Sequence, residues 1–142
     1  MAFDRTKTLV GTATKVYVNS KLVPYTSKIS YKMTGDFDDA AVMGEYGTHK
    51  IYLGYGGEGT LTEYKTASTL IRTIVESLQT GVIPDIEIIV DIENNHTKEN
   101  EPVKLKEVVF SEAGYDIETK STISEELPFS FADIEYLNTI KE

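Results

Sequence analysis

The stretch Asp85-Ile86-Glu87-Ile88-Ile89-Val90-Asp91-Ile92-Glu93 decides the fold class. Its apolar and acidic residues alternate with a period of two, the spacing at which successive side chains of a strand point to opposite faces. Ile86, Ile88, Val90 and Ile92 share one face; Asp85, Glu87, Asp91 and Glu93 share the other, where Ile89 is the only apolar residue. Such a strand buries one face and wets the other. That is the mark of a strand in a sheet with one core side.

Working outward, residues 15–19, 28–33, 50–55, 60–65, 103–110, 115–123 and 126–131 read as further strands, with clear alternation at 28–33 and 115–123. In 103–110 the alternation slips near Glu107, which predicts a bulge or a change of facing sheet. One segment has the other period. Leu70, Ile71, Ile74, Val75 and Leu78 form an apolar helical stripe, with Ser68 or Thr66 as N-cap, Gly81 as the left-handed C-terminal residue and Pro84 as a stop. The spacing predicts one helix over about 68–79, with Leu70, Ile74 and Leu78 facing the sheet. The polar run 93–102 reads as an exposed hairpin tip near 94–101. One helix can cover one sheet face or one open end, so the expected fold is mainly β, a β-sandwich closing toward a barrel with one flanking α-helix.

Composition bounds the function. The 142 residues suit one domain, and 40% hydrophobic with 26% charged is ordinary for a globular chain. The absence of cysteine removes disulfides, zinc–thiolate sites, iron–sulfur clusters and cysteine nucleophiles. No apolar run reaches the roughly 20 residues of a membrane helix, and Met1-Ala2-Phe3-Asp4-Arg5 has no apolar signal region, so neither membrane insertion nor general secretory export is expected. The net charge of −9 is concentrated beyond residue 84, where 15 acidic side chains face 5 basic ones. No cationic stripe for gripping phosphate is visible.

The chemical motifs are weak. Gly54-Tyr55-Gly56-Gly57-Glu58-Gly59 matches G-x-G-x-x-G, but Thr60-Leu61-Thr62 follows where a helix N-terminus would have to meet a pyrophosphate. The run is a glycine-rich connection or a close approach between strands. Gly35-Asp36-Phe37-Asp38-Asp39 lacks the bend glycine and closing Glu of a calcium loop. His49 and His96 lie far apart, and no G-x-S-x-G elbow appears. These residues predict no catalytic site, no metal and no cofactor. The nine tyrosines suit either subunit interfaces or ordinary strands.

The order of several segments resembles a known family. Ala41-Val42-Met43-Gly44 comes first, then Gly59-Thr60-Leu61-Thr62-Glu63-Tyr64-Lys65 with Ser68, then the helix, then Glu125-Glu126-Leu127-Pro128-Phe129-Ser130-Phe131 with Asp133. In this order, from about residue 11 to 136, the chain resembles the tail tube proteins of contractile phage tails, especially those of Gram-positive phages, defective prophages and R-type, diffocin-like bacteriocins. The resemblance implies a non-enzymatic structural protein whose hexameric rings stack into a hollow tube, each subunit lending about four strands to a lumenal barrel. Its implied partners are itself, the tail sheath protein, baseplate and tail terminator proteins, and a tape-measure protein in the lumen during assembly. DNA in a phage, or ions across the target envelope, would pass without specific binding. Assembly would be in the bacterial cytoplasm, followed by release in a virion tail or bacteriocin particle. A monomeric or dimeric ligand-binding β-barrel and a type VI secretion-like tube protein are the alternatives.

About 24 strands spaced about 4.8 Å apart and tilted about 45° give a backbone diameter near 50 Å, leaving about 40 Å between side chains. B-DNA, about 20 Å across, would pass, and an acidic wall would not grip it. The resemblance and the alternation together make Asp85, Glu87, Asp91 and Glu93 the expected lumen-facing residues. Residues 35–47, acidic at Asp36, Asp38 and Asp39 and apolar at Val42 and Met43, are the expected extended stacking loop between rings.

Overall fold

A computed structural model describes residues 3, 5–23, 25–65 and 69–140 of the chain. After two short 3-10 turns, Arg5–Lys7 and Gly11–Ala13, come β1 (Lys15–Val18), β2 (Lys21–Leu22), β3 (Thr26–Ala41), β4 (Thr48–Tyr64), α1 (Thr69–Thr80), β5 (Ile86–Glu93), β6 (Asn100–Phe110), β7 (Tyr115–Asp116), β8 (Ser124–Phe131) and β9 (Asp133–Tyr136). The fold is mainly β with one helix, and every strand pairing is antiparallel.

Two sheets share one strand. The first runs β2-β1-β5-β6-β9 and the second β3-β4-β8, with β7 and the end of β6 on the far side of β8. In β6, Lys104 and Leu105 pair with β5 and β9, whereas Val109 and Phe110 pair with β8. Glu107 stands between these pairings with φ +53°, where the β5–β6 register shifts. The slip in sequence alternation is this corner. A matching turn lies beside it: Ala132, between β8 and β9, donates its N–H to the Lys106 carbonyl at 3.0 Å. Strands that bend through a bulge can serve two sheets at once, which fixes how the sheets face each other.

The core fills the space between them. Val16, Ile88, Val90 and Leu105 come from the first sheet, Leu61, Leu127, Phe129 and Phe131 from the second, and Ile71 and Ile74 from α1. The Phe110 and Phe129 rings meet edge-on with centroids 5.7 Å apart. The ends of the strand path, β2 and β3, do not pair with each other. The sandwich therefore stays open on that side, leaving a groove of about 620 Å³ lined by Val16, Val23, Ile29, Tyr31, Val90 and Ile92.

Three local expectations change. The helix forms, but it buries Ile71, Ile74 and Ser77 while Leu78 is 49% exposed. One line of contact with the sheets leaves room for a narrow stripe, and the Ser77 hydroxyl is satisfied by donating to the Ile74 carbonyl at 2.7 Å. Gly81 ends the helix at φ +76°, donating to the Ser77 carbonyl at 2.9 Å; the expected N-cap at Ser68 or Thr66 lies outside the described residues. Residues 50–55 and 60–65 belong to one continuous strand, β4, with the glycine run inside it rather than connecting two strands. The close-approach reading of those glycines holds, because a Cβ at Gly57 would overlap the Phe131 ring and one at Gly59 the Phe129 ring. Finally, the strand expected over 115–123 shrinks to Tyr115–Asp116, which pairs with Glu125 and Ser124 at the start of β8.

Ile74→Ala removes a fully buried side chain and is expected to cost about 2–5 kcal/mol in urea denaturation. Leu78→Ala, at the half-exposed position, is expected to change stability by less than about 1 kcal/mol. Equal losses from the two substitutions would contradict this orientation of α1.

Candidate self-assembly surface

β4 pairs with β8 only as far as Gly57, opposite Phe131. Beyond that point β3 and β4 continue as a two-stranded ribbon, from Thr34 opposite Gly56 to Ala41 opposite Thr48. Nine residues at about 3.3 Å each carry it about 30 Å from the body. Residues 35–41, expected within a loop, are strand, and 42–47 form the turn, with Gly44 at φ +90° and the Glu45 N–H donating to the Val42 carbonyl at 3.1 Å. Asp36, Asp38 and Asp39 therefore lie along the distal half of β3, and Val42 and Met43 lie at the tip.

This ribbon is unusually apolar for something so exposed. Phe37, Ile51, Tyr52, Leu53 and Tyr55 are exposed along it, Met33 is exposed at its base, and Met43 and Tyr46 stand fully in solvent at its end. Phe37 and Tyr52 are register partners with ring centroids 5.6 Å apart. An ion pair of Lys50 with Asp39 flanks them, and His49 Nε2 lies 2.6 Å from a Glu45 carboxylate oxygen. Near the base, the Asp133 carboxylate of β9 pushes the Tyr55 hydroxyl pKa up, a contact that ties the ribbon to the first sheet. A two-stranded ribbon alone in water is marginal, and contiguous exposed apolar surface marks a binding region. β3 also ends the strand path, so its outer edge keeps unpaired backbone groups.

The acidic side of β5 has a different character in three dimensions than in sequence. Glu87 is bridged by Lys104 of β6 at 3.2 Å, and Asp91 lies opposite Lys15 and accepts from the Asn100 amide at 3.3 Å. Glu93 ends the strand opposite Asn100, while Asp85 is exposed and precedes the strand. Close by, Lys106 and Glu135 pair at 2.9 Å, each shifting the other toward its charged form. The face is a charge mosaic rather than a row of free carboxylates. The cross-strand lysines come from a segment far along the chain, so one strand's alternation cannot reveal them.

One ionisable cluster escaped the sequence reading. Glu63 and Glu125 are register partners on β4 and β8, and Glu125 is 1% exposed. The signal was present in the alternation: Glu125, Leu127, Phe129 and Phe131 share the buried side of β8. The His residues do not converge on a metal site, and no cluster of three or more potential metal ligands occurs among the described residues. None of the helices among those residues is long and apolar enough to cross a membrane.

Comparison with known proteins fits this architecture. A family model described as phage tail tube protein matches residues 1–138. The chain belongs to that family. No curated protein matches it in sequence. Among solved structures, the tube-terminating cap of the anti-feeding prophage is similar with a TM-score of 0.78 at 10% identity, covering 98% of this chain and 95% of that one. A chain of the sheath–tube complex of an extracellular contractile injection system, PVC, in its extended state, gives 0.76 at 11% identity, covering 94% and 93%. A chain of the six-fold symmetrised anti-feeding prophage baseplate gives 0.67 at 13% identity, covering 87% and 90%. As a tail tube protein the chain has a structural role. A ligand-binding barrel explains neither the projecting ribbon nor the open sheet edge.

Phe37→Ala and Tyr52→Ala lie beyond the last β8 pairing. They are expected to lower global stability by no more than about 1 kcal/mol while amide protection in the distal ribbon collapses. Loss of the whole fold on either substitution would show that the ribbon is integral to the core.

Proposed function

We propose that the chain forms the inner tube of a contractile phage tail or R-type bacteriocin by stacking hexameric rings. The projecting apolar ribbon beside an unpaired sheet edge carries this reading. A surface that would be costly to leave in water is stabilised by contact with further copies, and a head-to-tail contact that does not close on itself generates a filament. The ribbon, with Asp36, Asp38 and Asp39 along β3 and Val42 and Met43 at its tip, reaches the adjacent ring. The edge of β3 joins the neighbour within a ring. The six-fold symmetrised baseplate of one structural relative and the cap and sheath–tube assemblies of the two others support the same stoichiometry and partners here. A tape-measure protein occupies the lumen during cytoplasmic assembly, and DNA or ions pass later without specific binding. No catalysis is part of this role.

The passage must not grip what moves through it. In this reading the β5 face lines it, with Asp85, Glu87, Asp91 and Glu93 repelling phosphate while Lys104 and Lys106 are held in ion pairs. The exposed face of the second sheet is the other possible wall, favoured by its small hydroxyl side chains Ser30, Thr60, Thr62 and Ser130 and by the closure of Lys32 on Glu58 at 3.2 Å.

Replacing residues 38–51 by Asn-Gly closes the hairpin on the Phe37–Tyr52 pair with a two-residue turn. The shortened chain is expected to melt close to the wild type yet stay monomeric in sedimentation, while the wild type at high concentration gives rings or tubes by negative-stain microscopy. Tubes from the shortened chain would refute the stacking role. For the lumen, Glu87→Lys with Asp91→Lys is expected to yield tubes that retain anionic polymers, with retention falling steeply as salt rises. Unchanged retention would move the wall to the second sheet, where Thr60→Lys with Ser130→Lys is the corresponding test.

A further inference from the structure

The buried side of the second sheet runs in rows across β4 and β8: Gly57 with Phe131, Gly59 with Phe129, Leu61 with Leu127, and then Glu63 with Glu125. The first three rows are glycine, aromatic and aliphatic. The fourth places two carboxyl groups directly opposite each other, on the face where alternation otherwise calls for apolar side chains. Glu125 is buried, and its Oε1 accepts no hydrogen bond. Lys65 stands at the end of β4 with its Nζ 3.5 Å from that oxygen, and its own side chain is largely buried. Among the described residues, Glu125 and Lys65 are the charged groups acting on Glu63. From the flanking strands, the register partners are Thr26 of β3 and Tyr115 of β7.

Two carboxylates and one ammonium leave one negative charge in excess at a site where Glu125 is buried and Glu63 half-buried. Like charges at cross-strand distance in such a place do not both ionise, and a shared proton resolves the conflict. We propose that Glu63 and Glu125 share a proton as a pH-sensitive latch at the end of the second sheet. The latch is closed while Glu63 is protonated and donates to the Glu125 carboxylate, which Lys65 pairs from its other side. It loosens when that proton leaves to solvent.

The electrostatics agree with the geometry. Burial, reinforced by the hydrogen bond and the charge of Glu125, raises the Glu63 pKa from 4.5 to about 7, against the opposing pull of Lys65. The folded chain therefore holds a proton that the unfolded chain releases between 4.5 and about 7. Stability from this pair is fully present below the lower value and is lost as pH rises through the upper one. The latch sits where the chain leaves the sheets for α1. There the Tyr64 N–H donates to the Tyr25 carbonyl at 3.0 Å and the Lys65 N–H to the Ile123 carbonyl at 2.7 Å, so loosening the pair loosens both strand ends that these bonds hold. The inference does not depend on tube formation.

The test follows melting temperature from about pH 4 to about pH 9 for the full chain and for Glu63→Gln, whose amide can donate to Glu125 without a titratable proton. The wild type is expected to lose melting temperature between about pH 5 and about pH 8, with a shallower slope in the variant and the variant melting higher at the alkaline end. Parallel curves would overturn the latch. Carboxyl-carbon NMR of the wild type gives a second readout. One glutamate is expected to titrate near neutrality, and Glu125→Gln is expected to lower that value part of the way toward the ordinary carboxylate range, because burial of Glu63 remains; an unchanged value in the variant, or a wild type in which every glutamate titrates in the ordinary range, overturns the proposal. Excess calcium at alkaline pH is expected to leave the slope unchanged. Calcium-dependent recovery of melting temperature would identify a cation site in place of a shared proton.

Discussion

The corner at Glu107 is the constraint on which the rest of the architecture depends. β6 has to be a neighbour of β5 along one half and of β8 along the other, and a straight strand cannot do both. A single residue in the left-handed region costs the backbone about 1 kcal/mol. In exchange the two sheets are joined through continuous chain, with Leu105 facing the core on one side of the bend and Val108 on the other. The turn at Ala132 repeats the manoeuvre in the next strand and bonds to β6 beside the first corner. With both bends in place, the inner faces meet and the phenylalanines of β6 and β8 pack edge to face or tilted along the second sheet.

What the sequence makes legible follows from how strongly burial divides the two faces of each element. β5 alternates plainly because Ile86, Ile88 and Val90 on one of its sides lie in the core, and the slip at Glu107 is visible because burial is imposed on both sides of the slip. The long ribbon is harder to read. Neither of its faces is buried in the isolated chain, so Asp36-Phe37-Asp38-Asp39 and Ile51-Tyr52-Leu53 carry no division into inner and outer residues, and glycines at 54, 56, 57 and 59 imitate a loop. In α1 the apolar stripe is real but wider than the contact it makes, which is why Leu78 reads as core and lies half in solvent.

Functional side chains were legible to a smaller degree, for a related reason. Alternation ranks residues within a strand, whereas charge neutralisation happens between strands. Glu87 and Asp91 look free in their own segment, and their partners Lys104, Asn100 and Lys15 arrive through pairing register alone. Glu125 shows the converse: its strand announces it as buried, but only the pairing with β4 reveals that its neighbour is another acid. The resemblance in segment order supplied the tube family, while physics applied to single strands supplied the sandwich and its helix.

The free edge of β3 has a cost for a monomer waiting to assemble. Such an edge can template the addition of any extended polypeptide, and the aromatic residues beside it would favour irreversible clumping. Three aspartates within the four residues 36–39 sit along that edge, and one of them already holds Lys50 across the ribbon. In the proposed assembly they would act as gatekeepers, since a strand arriving at random, especially an acidic one, meets repulsion unless it brings cations in register. The same carboxylates would there oppose clumping of the free subunit while narrowing the set of acceptable neighbours.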